Sequence, residues 1–177
     1  MNAAERLFLD KGFDATSVED ITRGADVAKG TFYLHFPGKT GVVEALRERF
    51  VRGVLDRIAA GVAEVGEDDW HGKLSAWSRA CCGGYLDAAW LHQLVFVAAQ
   101  PSSRDGLADN ILVNDLAGLL ERGVDAKAWT LDDPRFTAIF LFNALHGIVQ
   151  QPLADDQSRR DMLDAIAGHF LRIVGLP

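Results

Sequence analysis

The chain has 177 residues, 49% of them hydrophobic and 24% charged, so it can bury one substantial core beside a small second module. Its two cysteines, Cys81 and Cys82, are adjacent, a spacing that rarely suits a disulfide and that favours a reducing compartment. Because the sequence shows no signal peptide and no uninterrupted apolar run of membrane-spanning length, we expect a cytoplasmic protein without a membrane partner.

The formal net charge of −7 argues against a nucleic-acid binder that depends on its overall charge, because phosphate binding is driven by Lys and Arg. The charge is unevenly distributed. Residues 1–50 hold seven Lys and Arg against eight Asp and Glu, whereas residues 51–177 hold eleven against seventeen. Within Ile21–Lys39 three basic residues stand against a single acid, Asp26, so this stretch is a local basic patch.

Apolar residues recur at spacings of three and four along nearly the whole chain, which predicts an all-α fold. In the first helix Ala4, Leu7 and Phe8 form the apolar stripe. Gly12 and Phe13 resemble a helix end, at which a glycine with left-handed backbone is followed by a hydrophobic contact back to the helix. We therefore expect this helix to end near Lys11.

Thr16 and Glu19 have the spacing of a capping box, in which each side chain bonds to a backbone amide of the other residue. The second helix is therefore expected to start at about Ser17 and to reach a turn at Asp26. Its predicted inward face consists of Val18, Ile21 and Ala25.

A third helix is predicted through Lys29–Phe36, ended by Pro37-Gly38. Phe32 and Phe36 are four residues apart and can face the core together, while the polar residues between them point elsewhere. Two short helices joined by a tight turn, the second with polar and aromatic groups outside, form a helix-turn-helix that can enter the major groove of DNA.

A long helix is predicted from about Lys39, and we place the domain junction inside it. This gives a helix-turn-helix domain over residues 1–47 and a helical domain over residues 48–177. In the second domain we expect Gly123 to stop one helix and Pro134 to occupy the first position of the next. Ser158 is expected to cap the last helix.

The N-terminal pattern is carried by Leu7-Phe8, Gly12-Phe13, Thr16-Ser17-Val18, Ile21, Ala25, Val27 and Lys29-Gly30-Thr31-Phe32-Tyr33-Leu34-His35-Phe36-Pro37-Gly38-Lys39. With these residues the chain resembles the DNA-binding domain of the tetracycline-repressor (TetR) family of bacterial regulators. The resemblance covers roughly the first 50 residues, and it implies a second, helical domain for dimerisation and ligand sensing.

The resemblance implies three phosphate-binding residues, Tyr33, His35 and Lys39. It also places three residues near base edges, namely Lys29, Thr31 and Leu34. Gly30 allows close approach to the groove, and the amides near Thr16 and Ser17 offer further phosphate donors. His35 equally fits a plain surface position and Leu34 a core position, so these two roles stay open.

Two positions depart from the family pattern: Asp26 stands where Gly is usual in the turn, and Ala28 stands where Ser usually caps the recognition helix. Asp tolerates a left-handed backbone but adds negative charge, and Ala removes a cap. We therefore expect weaker or narrower DNA binding than in a typical member. The resemblance also places Met1 inside the first helix, without the usual basic extension, so we expect a truncated N-terminus.

The implied dimer would form an antiparallel four-helix interface from the last two helices. Its candidate residues are Phe136, Ile139, Phe140, Gly147, Leu163, Ile166, Phe170 and Ile173. Both stripes equally fit an intramolecular core. For a pocket that binds a small apolar or aromatic effector, the candidates are Trp77, Cys81, Tyr85, His92, Phe96, Trp129, Phe140 and Asn143. Aromatic residues at helical spacing also fit plain core packing.

The sequence has no His-x-x-x-His or Cys-x-x-Cys pair and no Gly-rich phosphate loop, so we expect neither a metal nor a cofactor. The resemblance implies a repressor that binds a near-palindromic operator in double-stranded DNA as a homodimer and is released by its effector. One alternative is a helical binding protein with a vestigial helix-turn-helix. Another is an enzyme that uses a Cys81 or Cys82 nucleophile with His71, His92 or His146 as base.

Overall fold

The computed structural model describes residues 1–94, 111–151 and 153–175, apart from the side chains of His92 and Gln93. Within that part the regular elements are helices, which confirms the predicted all-α class. In chain order they are α1 (Asn2–Lys11), α2 (Val18–Ala25), α3 (Lys29–His35), α4 (Lys39–Ala63), α5 (Trp70–Asp87), α6 (Ala89–Gln93), α7 (Ile111–Asp125), α8 (Pro134–Ile148) and α9 (Asp156–Ile173).

The chain divides into two compact units. Among the described residues, the first consists of residues 1–52 and 88–94, and the second of residues 53–87, 111–151 and 153–175. Helix α4 begins in the first unit and continues in the second. The first unit therefore contains the whole of the predicted helix-turn-helix.

Helix α1 ends as the sequence predicts. Gly12 has a φ of +84°, and its N–H donates to the carbonyl of Phe8 at 3.0 Å. The ring of Phe13 then packs 5.4 Å from the ring of Phe8. A positive φ is readily adopted only by Gly, so this residue allows the chain to leave the helix without strain.

The predicted capping box of α2 is wrong by one residue. Thr16 is buried, and its hydroxyl donates to the carbonyl of Gly12 at 2.7 Å instead of capping α2. The N-cap is Ser17, whose hydroxyl accepts from the Asp20 amide at 3.0 Å, while the Asp20 carboxylate accepts from the Ser17 amide at 3.1 Å. The cap moves by one residue because the Thr16 hydroxyl is already bonded to a free carbonyl just after α1, which leaves Ser17 to cap α2.

The inward face of α2 also differs from the prediction. Ile21 is buried and Val18 is half-buried, as expected. Ala25 is exposed, however, and Thr22 is buried in its place, with its hydroxyl donating to the Glu19 carbonyl at 3.1 Å.

The core of the second unit is built where α5 packs against α9 and α7 against α8. Trp77 of α5 stacks on Phe170 of α9, with ring centroids 6.3 Å apart. The indole N–H of Trp77 donates to the Asp115 carboxylate on α7 at 2.7 Å. One aromatic side chain thus connects three helices.

Gly123 does not stop a helix, contrary to the prediction, because α7 continues to Asp125. Its role is to make room for Trp129, since a Cβ at this position would lie 2.0 Å from that ring. The indole N–H of Trp129 donates to the Leu120 carbonyl at 3.0 Å, which holds the ring across α7.

Pro134 occupies the first turn of α8, as predicted, and the Asp133 carboxylate caps this helix by accepting from the Phe136 amide at 2.8 Å. The predicted cap of α9 is wrong. Asp155, not Ser158, is the N-cap, and its carboxylate accepts from the Ser158 amide at 2.7 Å.

Replacing Gly123 with Ala should destabilise the protein by roughly 1–3 kcal/mol, because the new methyl group would displace the Trp129 ring. Gly53→Ala is the matched control: Gly53 is exposed within α4 with nothing within 4 Å of an added Cβ, and Ala should stabilise this helix by up to about 1 kcal/mol. The free energy of unfolding in urea measures both. Equal effects of the two changes would contradict the proposed packing.

Candidate nucleic-acid interface

Helix α3 has seven residues, and Phe32 is its one buried side chain. Tyr33 is 51% exposed and Leu34 83% exposed, which excludes a core position for Leu34. The remaining exposed residues of α3 are Lys29, Gly30, Thr31 and His35. All six α3 residues that were predicted to contact DNA therefore lie on the free surface of one short helix.

Phe32 makes two ring contacts with neighbours in α3 and its C-cap. The ring of Phe32 packs 5.6 Å from Phe36, and the ring of Tyr33 meets it edge-on at 5.3 Å. Phe36 is half-buried at the end of α3, so the predicted pairing of these phenylalanines is confirmed. Burying a Phe side chain stabilises a fold by about 2 kcal/mol, which anchors the helix while its outer face stays free.

The turn between α2 and α3 depends on Asp26, whose φ of 53° and ψ of 48° are left-handed, as predicted. The Asp26 amide donates to the carbonyl of Arg23 at 3.3 Å, and the Val27 amide donates to the carbonyl of Thr22 at 3.0 Å. These bonds close the end of α2. The left-handed backbone costs a non-Gly residue roughly 1 kcal/mol.

Thr16 and Ser17 do not present the free donors expected of phosphate ligands. The Thr16 amide donates to the carbonyl of Phe13 at 3.3 Å, and the hydroxyl of Thr16 is buried. The Ser17 amide donates to the Asp20 carboxylate at 3.1 Å. Phosphate binding by the amides near Thr16 and Ser17 stays a prediction, and these two residues are not themselves its free donors.

Lys39 has a structural role besides the predicted phosphate contact. Its ammonium donates to the carbonyl of Phe13 at 2.8 Å and to that of Asp14 at 3.4 Å. It also lies 4.6 Å from the centre of the Phe13 ring. Because an ammonium has three N–H donors, Lys39 can join the start of α4 to this turn and still offer one donor to a phosphate.

The other two basic residues of the local patch are also engaged. Lys29 forms an ion pair and hydrogen bond with Glu19 of α2. Arg23 lies 3.7 Å from the Asp20 carboxylate. The sequence alone does not identify either acid as a partner, because Glu19 has the spacing of a capping box and both acids precede the basic patch that begins at Ile21.

Four of the candidate effector residues are packed in the second unit. Trp77, Cys81, Tyr85 and Trp129 are each at most 6% exposed, as expected for the core alternative. Asn143 donates its side-chain amide to the Ile139 carbonyl at 2.7 Å, and Phe140 is 57% exposed. Phe96 and the side chain of His92 lie outside the described residues.

The candidate dimer residues separate into three groups by burial. Ile166 and Phe170 are 3% and 2% exposed, so their assignment to an interface is wrong: they fill the core of their own chain. Ile139 and Leu163 are half-buried. The exposed members are Phe136, Phe140, Gly147 and Ile173.

The two thiols lie in the core. Burial raises the pKa of Cys81 well above its ordinary value and that of Cys82 to about 11. Both shifts disfavour the thiolate form that a cysteine nucleophile requires. In the described ranges, no three His, Cys, Asp or Glu side chains form a potential metal site, and no helix is long and apolar enough to span a membrane.

Helix α3 follows α2 across a left-handed turn and exposes polar and aromatic side chains. This arrangement is that of a helix-turn-helix DNA-binding regulator. Comparison with known proteins agrees. Residues 1–46 match the family described as "Bacterial regulatory proteins, tetR family". The chain is 33% identical to the HTH-type transcriptional regulator YwcC of Bacillus subtilis (strain 168) over 186 aligned positions, which cover 96% of this chain and 82% of YwcC. The chain belongs to the TetR family of transcriptional regulators.

Two further similarities differ in extent. With the HTH-type regulator YvdT of Bacillus subtilis the identity is 37% over 70 residues, and the match spans 40% of this chain but only 36% of YvdT. The structure of the fatty acid degradation regulator FadR from Bacillus halodurans superposes with a TM-score of 0.73 at 22% identity, covering 96% of this chain and 91% of FadR. The similarity to YvdT supports the family assignment, and the similarity to FadR supports the fold.

Ala28, the N-cap of α3, makes no side-chain capping bond, although its φ of −68° and ψ of 148° resemble those of Ser17, the capped start of α2. Ala28→Ser should therefore supply a hydroxyl to a free amide of α3 and stabilise the protein by about 1 kcal/mol. Ala60→Ser, at an exposed position inside α4, should be neutral or slightly destabilising. Urea unfolding measures both, and no gain at position 28 would argue against the uncapped helix start.

Proposed function

We propose that the protein is a dimeric cytoplasmic repressor that binds a near-palindromic operator in double-stranded DNA and is released by a small apolar or aromatic effector. The observation that carries this proposal is that six candidate contact residues of α3 are exposed, while Phe32 is its buried side chain. The enzyme alternative has no comparable support, since the relatives are transcriptional regulators.

Helix α3 is the proposed recognition helix. The hydroxyl of Thr31 can bond a base edge, and Leu34 can contact a thymine methyl in the major groove. The Tyr33 hydroxyl and the His35 imidazole are donors suited to phosphate oxygens. Gly30 has open space where a Cβ would lie, which suits close approach of the backbone to the groove.

Tyr33→Phe should lower affinity about threefold to tenfold on every duplex without changing the salt dependence, because it removes a neutral phosphate donor. Thr31→Val keeps the side-chain shape and should change the ranking of operator sequences instead. Binding to the promoter region of its own gene, titrated across a salt series, measures both effects. If the wild-type chain showed no salt-sensitive binding, the vestigial helix-turn-helix alternative would be favoured.

The proposed dimer surface lies mainly on α8. Phe136 and Phe140, spaced by one turn, are 66% and 57% exposed, and Gly147 and Ile148 continue along the same helix. Large exposed aromatics of this kind mark surfaces that a partner covers. A two-fold arrangement of α8 and α9 would cover them on both copies at once.

Phe140→Asp should shift the protein from dimer to monomer, because a carboxylate would be buried in the apolar contact. Leu9→Asp is the control: Leu9 is an exposed apolar residue of α1, 56% exposed and outside the proposed surface. Sedimentation equilibrium gives the dimer dissociation constant of each variant. An unchanged dimer in the Phe140 variant would remove α8 from the interface.

An apolar effector is favoured by the aromatic core of the second unit and by FadR, whose name connects a protein of this fold with fatty acid degradation. We propose that the effector stabilises a dimer whose recognition helices no longer match successive major grooves about 34 Å apart. Candidate contacts are Trp77, Cys81, Tyr85, His92, Phe96, Trp129, Phe140 and Asn143. A thermal-shift series with fatty acids and aromatic acids tests this, since an effector raises the apparent stability of the state that it binds.

A further inference from the structure

We infer that Glu19 is a positioning residue of the DNA interface. Its carboxylate holds the Lys29 ammonium against α2, and DNA must displace this carboxylate before Lys29 can reach a phosphate or a base edge. The inference rests on the proposed DNA contact of Lys29. It identifies Glu19 as a residue that sets affinity without touching DNA itself.

The geometry follows from the local fold. Glu19 lies in the first turn of α2 and Lys29 is the first residue of α3, so their ion pair crosses the helix-turn-helix. Because the capping box uses Ser17 and Asp20, Glu19 is not needed as a cap and its carboxylate is directed to Lys29. Both side chains are about half exposed, at 53% for Lys29 and 54% for Glu19, so DNA could reach the pair.

Electrostatics supports a real partnership between the two groups. The hydrogen bond from Lys29 lowers the pKa of Glu19, although neighbouring Asp20 opposes this. The same bond raises the pKa of Lys29, with a smaller contribution from Tyr33. Both groups are therefore charged at neutral pH, and Lys29 keeps an intramolecular counter-ion.

The pair changes the charge that the recognition region offers to DNA. Counted from Glu19 to Lys39, three basic residues stand against three acids, Glu19, Asp20 and Asp26, so the patch is neutral. Sequence-independent binding to DNA is driven almost wholly by charge, whereas the choice among sequences depends on contacts with base edges. Glu19 should therefore weaken binding to unrelated DNA in particular and sharpen the choice of operator.

The test is a double-mutant cycle in the full chain, with a duplex of unrelated sequence as the probe. Glu19→Gln should raise affinity roughly two- to fivefold and steepen the slope of log K against log salt by up to about 0.9, the value for one further phosphate. In a Lys29→Gln background the same change should have much less effect. Glu5→Gln is the matched control, since it removes one charge and a cross-helix ion pair with Arg49 elsewhere in the first unit.

An equal gain from Glu19→Gln with and without Lys29, or a gain no larger than that of Glu5→Gln, would overturn the inference, because the effect would then be one of total charge. Failure of every variant to bind DNA would overturn the proposed function and this inference with it. A readout without DNA is the pKa of Glu19 by carbon-13 NMR. It should rise in the Lys29→Gln variant, and an unchanged value would show that the pair does not form.

Discussion

Helix α3 depends for its position on the burial of one ring, that of Phe32. A helix of seven residues is too short to be stable by itself, so α3 takes its position from what it packs against. Phe32 supplies the buried contact, Phe36 extends it, and the left-handed turn at Asp26 sets the direction from which the chain enters. Because one side chain anchors the helix, the outer positions are free to serve recognition.

The charge around α3 depends on a hydrogen bond near the end of α1, that of the Thr16 hydroxyl. Thr16 binds a carbonyl at the end of α1, so the cap of α2 moves to Ser17 and the acid that completes it becomes Asp20. Glu19 is left on the surface, where it meets Lys29. A one-residue shift in capping therefore connects how α1 ends with the charge that the proposed recognition helix presents.

What the sequence could predict was mostly local. The stop at Gly12 and the left-handed Asp26 follow from the backbone preferences of single residues, and the pairing of Phe32 with Phe36 follows from helical spacing. The failures involve competition between partners. The Thr16 hydroxyl can either cap α2 or bond to a carbonyl near the end of α1, and it does the second. Gly123 resembles a helix stop in the sequence, whereas in the fold it makes room for Trp129. Spacing alone cannot decide such cases, because the winning partner comes from elsewhere in the chain.

The second unit shows the same limit on a larger scale. Periodicity identifies the apolar residues of α8 and α9 but not which element covers them. Ile166 and Phe170 lie inside their own chain, whereas Phe136 and Phe140 stay exposed after that packing is complete. Of these two pairs, only the second offers surface to the proposed partner, since exposed aromatic surface of this kind is unfavourable in water. The case for a dimer therefore depends on what intramolecular packing leaves uncovered, and not on the apolar stripes as such.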